Sequence, residues 1–273
     1  MSDTWLNNAS TQGVNNSTFV LIKPLGLSHW PTIKKFILQT APISRTRLLM
    51  VTESMIQQHY FEHKDQPWFP QLTNYFVGRY VLAVEVLADP IKIRKIIGST
   101  NPKDNKDKDT IRALLRTLTP SDTTMVEYTK GIDNLIHGAD SEIAAMREIQ
   151  LWFESRLPPS PLFLSLTNHK FADKNVISPF HGITFDLSDA DTLGSHVTDF
   201  LEAMPWIHEW QKVGTRIPKF VIGGLTPVSI IALQYLETLT GKTPEIAWVN
   251  ARTGEIHELD LQDVKNRARR HRR

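Results

Sequence analysis

The sequence contains no cysteine in 273 residues. That excludes disulfides, thiolate metal sites and a cysteine nucleophile, and it fits a reducing cytoplasm, the compartment expected here. Charge of one sign is also lacking. Thirty-one basic and twenty-nine acidic side chains leave a net +2, so the charge balance alone points to neither nucleic acid nor membrane. No apolar run approaches the roughly 18 residues of a membrane span, so no membrane partner is expected. The first sixteen residues, MSDTWLNNASTQGVNN, lack the basic start and apolar core of a signal peptide and are read as a flexible arm, 1–16.

A hydrophobic share of 41% over this length suits two domains of ordinary size. In the first, apolar runs at 17–23, 45–53 and 75–87 read as strands, separated by helical stretches from Trp30 to about Gln39 and from Ser54. Asp89 and Pro90 open a helix through KIRKIIG, and AMREIQLWF at 145–153 has helical periodicity. RLPPSP, 156–161, is a stiff Pro-rich linker and a natural boundary. Beyond it lie strands in PLFLSLTN, ITFDL and KFVIGG, and a helical stretch broken near Pro205. A helix over 226–240 follows, with Thr226 as cap, Pro227 in its first turn and Gly241 at its end. EIAWVN and EIHELDL read as short strands. The chain then ends in a basic tail, 265–273, with six Lys or Arg in nine residues.

The stretch DNLIHGADSE, 133–142, sets one histidine between an apolar step and a glycine. Around it FVLIKP, HYFEHKDQPWF, KIIGSTNP, TIR, NLIHGADS and REIQLWF occur in an order and spacing that resemble the nucleoside diphosphate kinase family, over about residues 17–155. Beyond the linker the strand and helix pattern reads as a smaller α/β Rossmann-like domain at 162–264, while the resemblance implies an α+β ferredoxin-like kinase domain at 17–155. It implies transfer of the γ-phosphate of a nucleoside triphosphate to a nucleoside diphosphate through a phosphohistidine, with His137 as nucleophile. By motif match Lys23, Tyr60, Arg94, Thr100 and Arg112 would hold the transferred phosphoryl group. Asn134 would meet the sugar hydroxyls, while Trp68 with Leu72 would sit against the base. Glu148 would orient the imidazole through its other nitrogen. Mg²⁺ would arrive with the nucleotide, held through its phosphates with no metal site of the protein's own. A homo-oligomer is expected from the family.

Three positions depart from the family pattern. Leu25 stands where aspartate is usual, Ala139 where a serine usually bonds the Glu148-type carboxylate, and an insertion at about 113–131 lengthens the loop before His137. His59 and His63, four apart, are read as a solvated helix face and not as a metal pair, and Phe69 as core.

The second half is similar, more faintly, to small CRISPR-associated proteins that bind or cleave cyclic oligoadenylates. The carrying segments are TNHKF, FVIGGLTPVSIIALQYLE and LQDVKNRARR. Strand ends followed by a capped helix are where α/β sheets hold anions, which makes Asn168, His169, Gly223, Gly224 and Thr226 candidate ligand residues. The alternative function is therefore a cyclic-oligoadenylate protein with a repurposed kinase half. Nucleic acid is expected to touch only the basic tail, if any part.

Overall fold

The computed structural model describes residues 17–100, 109–113, 134–169, 171, 176–250 and 252–271. The arm at 1–16, nearly all of the expected insertion and the last two residues of the tail lie outside the described residues.

The first half is built on a sheet of β1 (Thr18–Ile22), β2 (Ile43–Met50), β3 (Tyr80–Val86) and β4 (Ile136–Gly138). Its order is β2-β3-β1-β4, with every pairing antiparallel. TFVLI of β1 is buried throughout because both faces of this inner strand are covered. The alternation of side chains divides them. Val20 and Ile22 join a core with Trp30, Ile33 and Ile37 of α1 (Trp30–Thr40) and Ile93 and Ile97 of α4 (Pro90–Ile97). Phe19 and Leu21 join Ile56 of α2 (Glu53–His59), Phe76 of α3 (Phe69–Phe76) and Trp152 of α5 (Glu142–Phe153). This is the ferredoxin-like arrangement expected.

Local chemistry sets the helix ends. Asp89 accepts the Ile91 N–H at 2.7 Å at the start of α4, and Ser141 accepts that of Ala144 at 3.2 Å at the start of α5. The far end of α5 is closed from β2, where the buried Arg47 donates to the carbonyls of Trp152 and Phe153 at 3.0 and 2.7 Å.

The strand expected over 75–87 begins only at Tyr80. Its first residues belong to α3, a helix that Pro70 opens, and Gly78 at φ +76° makes the turn between them. Tyr75 and Phe76 look like strand residues because their apolar side chains run into those of β3 without a polar break.

In the second half, β5 (Phe163–Ser165), β6 (Val176–Ile177), β7 (Lys219–Val221), β8 (Glu245–Val249) and β9 (Ile256–Asp260) lie in the order β6-β5-β7-β8-β9. All pairings are parallel except that of β9. Helices α6 (Ala190–Glu202) and α8 (Thr226–Thr240) pack together, with the short α7 (Ile207–Trp210) after α6 and α9 (Leu261–Arg270) at the end. The basic tail thus begins inside a helix.

Two expectations fail here. ITFDL is not a strand. Ile183 and Phe185 alternate inward because they pack in the core, Phe185 against Phe180 and His196, while the Thr184 N–H bonds the Ser28 hydroxyl at 2.9 Å. Thr226 does not cap α8. It is the first helical residue, and the capping position is Leu225, which has no side-chain oxygen to offer.

The linker at 156–161 has no regular structure, yet the largest core crosses it. A single apolar cluster runs from α1 and β1 into Phe180, Phe200, Trp210 and Phe220. Asp199 of α6 accepts from Trp30 Nε1 at 2.8 Å and pairs with Lys34 at 2.6 Å. Buried His196 donates to the Leu27 carbonyl at 2.9 Å, and the Leu48 N–H on the outer edge of β2 bonds the Ala203 carbonyl at 2.7 Å. The second half therefore closes over α1 and part of the β2 edge. Among the described residues no helix is long and apolar enough to cross a membrane.

Candidate active site

His137 is the middle residue of β4, opposite Leu21 of β1. The chain reaches it through a tight reversal: the Ile136 N–H bonds the Asn134 carbonyl at 2.8 Å across Leu135, whose φ is +66°. This is a γ-turn of the strained kind, held in place by its surroundings. Lys23 N–H bonds the Leu135 carbonyl at 3.0 Å, and Gly26 lies so close that a Cβ there would stand 2.3 Å from the same oxygen. The turn fixes where Asn134 and His137 emerge.

His137 Nε2 and Glu148 Oε2 share a hydrogen bond of 3.1 Å, in which Nε2 is the donor when the carboxylate is ionised. Glu148 projects from α5 and is buried, while the imidazole keeps about a quarter of its surface open. With Nε2 committed to the carboxylate, the neutral ring carries its lone pair on Nδ1. Burial, with Lys23, Arg112 and Arg94 near, pushes His137 down to about 3, so at neutral pH the ring is uncharged. Burial pushes Glu148 up to about 7. The residue at 139 brings no hydroxyl to it: Ala139 is a buried methyl.

Three cationic side chains converge on this strand. Arg94 donates to the Gly138 carbonyl at 3.3 Å, and Arg112 donates to those of Ile136 at 2.9 Å and Gly98 at 2.9 Å, with Thr100 Oγ1 at 3.3 Å. The two guanidiniums thus bracket His137 through the carbonyls on either side of it. Lys23, at the end of β1, is buried with its ammonium 5.8 Å from the centre of the Phe76 ring. Tyr60 places its ring 6.1 Å from that of His137, and burial raises its hydroxyl's affinity for its proton.

Of the residues matched by motif, Lys23, Tyr60, Arg94, Arg112, Thr100 and Glu148 come together around His137. Asn134 enters through the γ-turn, with a buried side-chain oxygen that has no hydrogen-bond partner. Trp68 lies on the rim, 40% exposed and 5.3 Å from the His63 ring. Leu72 is different. It is buried in the core with Phe69 and offers a base little surface.

His59 is not on a solvated face. It is fully buried, its ring 4.8 Å from that of His137 and edge-on, and it accepts the Trp152 indole N–H on Nδ1 at 3.2 Å. The spacing of Ile56 and His59 on α2, three apart and both turned inward, carried this signal in the sequence. His59, His137 and Glu148 approach closely enough to suggest a metal site. The Trp152 bond speaks against it, because the lone pair of His59 Nδ1 is already occupied and its other nitrogen carries the proton. His63 is exposed, beside Trp68 at the rim.

The nucleoside diphosphate kinase family model matches residues 16–157. The chain belongs to this family. Nucleoside diphosphate kinase from Cyanothece sp. is 34% identical over 145 residues, covering 50% of this chain and 87% of the relative. Nucleoside diphosphate kinase from Methanosphaera stadtmanae is 32% identical over 145 residues, 50% of this chain and 85% of its own. Nucleoside diphosphate kinase 3 of Danio rerio is 34% identical over 147 residues, 52% and 79%. A crystal structure of the Aquifex aeolicus nucleoside diphosphate kinase aligns over 51% of this chain and 96% of its own at 20% identity, with a TM-score of 0.42, too low to add to what the sequence relatives carry. The family match stops at residue 157, so it does not bear on the second half or on its likeness to cyclic-oligoadenylate proteins.

In that half, Asn168 and His169 follow β5, and Gly223 and Gly224 follow β7, the neighbouring strand. A Cβ on Gly224 would lie 3.2 Å from His169 Nε2, so the two loops touch. A separate cleft of about 540 Å³ lies between the halves, lined by Lys34, Arg45, Asp199 and Tyr235, and shares no residue with the His137 cluster.

Proposed function

We propose that the first half of this family member is a working phosphotransferase, in which His137 Nδ1 takes the γ-phosphoryl group of a nucleoside triphosphate and passes it to a second nucleoside diphosphate. The observation that carries the reading is the 3.1 Å bond between His137 Nε2 and the buried Glu148, which with the carboxylate ionised leaves the Nδ1 lone pair free on a neutral ring. A neutral, oriented imidazole is what in-line attack on phosphorus requires. As the N–P bond forms, the bond to the bridging oxygen of the diphosphate breaks. Glu148 then faces a ring that has gained positive character.

Lys23, Arg94 and Arg112, with the Tyr60 and Thr100 hydroxyls, supply the charge and donors that a transferring phosphoryl group needs. Asn134 is assigned to the sugar and Trp68 to the base. An exposed ring stacked on a base is tolerant of base identity, which supports broad nucleotide use, while buried Leu72 takes no part in holding the base. Mg²⁺ fits this setting as a companion of the nucleotide: the side chains around His137 are cationic, and the nearest buried carboxylate is committed to the imidazole. The bound ion would neutralise phosphate charge.

The appended half supports a second, smaller reading. Numbered within that half, its strand order is 2-1-3-4-5, the order of a Rossmann-like doubly wound sheet, whose switch point falls between β5 and β7. The contact of the His169 and Gly224 loops at that point supports a nucleotide or adenylate ligand held by Asn168, His169, Gly223, Gly224 and the first turn of α8 at Thr226. A cytoplasmic setting suits both readings. Self-assembly, expected of the family, would use surfaces other than the part of the β2 edge bonded to Ala203.

Initial rates with ATP as donor and dTDP as acceptor test the main reading. Parallel double-reciprocal lines, the signature of a covalent intermediate, are expected, with the rate lost in His137→Ala. Intersecting lines would rule out the phosphohistidine. For the second half, equilibrium dialysis with cyclic tetra-adenylate on the wild type and on His169→Ala separates the rival: binding that depends on His169, with no kinase turnover, would favour it.

A further inference from the structure

Positive charge is segregated in this chain. Residues 261–273 hold six Lys or Arg against one Asp, a net +5 in a chain whose total is +2, so the first 260 residues carry −3. The near-neutral sum conceals this.

Four of these six, Lys265, Arg267, Arg269 and Arg270, lie on a formed helix. Helix α9 is capped by Asp260, whose side chain accepts the Gln262 N–H at 2.7 Å. It is anchored to α8 by the ion pair of Lys265 with Glu237, and Lys265 also bonds Thr243 Oγ1 at 3.3 Å. Yet α9 buries none of its residues. Arg267, Arg269 and Arg270 are exposed, and among the described residues they make no ion pair with a carboxylate. Leu261, Val264 and Ala268 lie along one side of it at helical spacing, and the rest of its surface is polar and open, more than packing against β8 and α8 requires.

A second feature lies beside it. Trp248 of β8 is 39% exposed and stacks on His257, its direct partner on β9, with ring centres 5.6 Å apart and planes 28° from parallel. β9 is the last strand of its sheet, and every one of its residues is exposed. From His257 to the first turn of α9 is roughly 10 Å of strand, and α9 itself is roughly 15 Å long. The aromatic pair and the arginines therefore fall within the length of one short oligonucleotide.

We propose that β8, β9 and α9 form a binding surface for single-stranded nucleic acid, with Arg267, Arg269 and Arg270 on phosphates and Trp248, backed by His257, against a base. Unpaired bases expose the π-faces that an open indole can stack on, whereas a duplex hides them. A membrane surface is the poorer match, because α9 offers only Leu261, Val264 and Ala268 as apolar side chains to insert. The surface uses no residue of the His137 site and stands or falls separately from it.

The test is fluorescence anisotropy of a labelled oligouridylate of about 20 nucleotides titrated with the full chain over a range of salt. Binding is expected whose log affinity falls linearly with log salt. Changing Arg267, Arg269 and Arg270 together to Gln lowers that slope by about 2, at roughly 0.7 per phosphate contact on a single strand. Trp248→Ala weakens binding roughly five- to a hundredfold, the worth of one stacked base, without altering the slope. The circular dichroism spectrum and melting temperature of both variants stay at the wild-type values, which shows that they fold. Failure to bind at about 50 mM salt, a slope unchanged by the arginine substitutions, or full affinity in Trp248→Ala overturns the proposal. Equal binding to phosphatidylserine vesicles, indifferent to Trp248, also overturns it and reassigns the helix to a general attraction for polyanions.

Discussion

Glu148 should govern how the reaction depends on pH. Only one proton lies in the 3.1 Å contact between His137 Nε2 and Glu148 Oε2. When the carboxylate is ionised that proton sits on Nε2 and Nδ1 is free. When it is protonated the carboxyl group donates instead, and the neutral ring must carry its own proton on Nδ1, which blocks attack. Burial pushes Glu148 up to about 7, while His137 is held near 3 and so does not titrate in the working range. The sign follows: phosphorylation of His137 falls as pH drops through 7, by about tenfold per unit once the carboxyl is mostly protonated. Glu148→Gln removes the titration but leaves an oxygen for the Nε2 proton. Its rate should be flat from pH 6 to 8. At pH 8 it should lie about five- to fifteenfold below the wild type, because a neutral hydrogen bond contributes about 1 to 1.5 kcal/mol less than a charge-assisted one. Single-turnover phosphorylation by labelled ATP in a rapid-quench instrument reads this directly. A wild-type rate constant over that range, or a limb near pH 7 that survives in Glu148→Gln, would refute the reasoning.

Ala139→Ser offers the carboxylate a donor, and a hydrogen bond to a charged group contributes about 1.5–3 kcal/mol, so the acidic limb should move down by about one to two pH units; an unmoved limb would mean the hydroxyl does not reach Glu148. His59→Ala leaves the Trp152 indole N–H without its acceptor and opens a cavity beside Phe19, which should lower stability by about 2–4 kcal/mol in urea titration. Gly26→Ala drives a Cβ against the Leu135 carbonyl, where the ideal separation is 2.3 Å. It should cost about 1–3 kcal/mol and reduce phosphorylation further than stability, since the displaced turn carries Asn134 and His137.

Much of the kinase half was legible because its signals are local and ordered. Motif spacing placed Lys23, Tyr60, Arg94, Thr100, Arg112 and Glu148 about one histidine, and the structure brings them there. What sequence alone could not show was orientation. Nothing in HYFEHK says which histidine faces inward; only the packing of α2 against Trp152 decides that His59 is buried and His63 is not. Leu72 matched a position but not an exposure, because helix α3 turns it into the core. ITFDL alternates like a strand because Ile183 and Phe185 reach a core that α6 supplies, and alternation cannot report which partner buries a side chain. The Pro-rich linker marks a change of pattern in the sequence, yet Asp199, His196 and Ala203 bind the two halves through contacts more than 150 residues apart in the chain.

The central claim is that His137 accepts the phosphoryl group. Incubation of the intact chain with γ-labelled ATP, followed by acid and alkali treatment and peptide mapping, tests it most directly. The account expects label that is acid-labile and alkali-stable, confined to the peptide bearing His137 and absent from His137→Ala. An intact protein that takes up no label, or one labelled equally in His137→Ala, would contradict it.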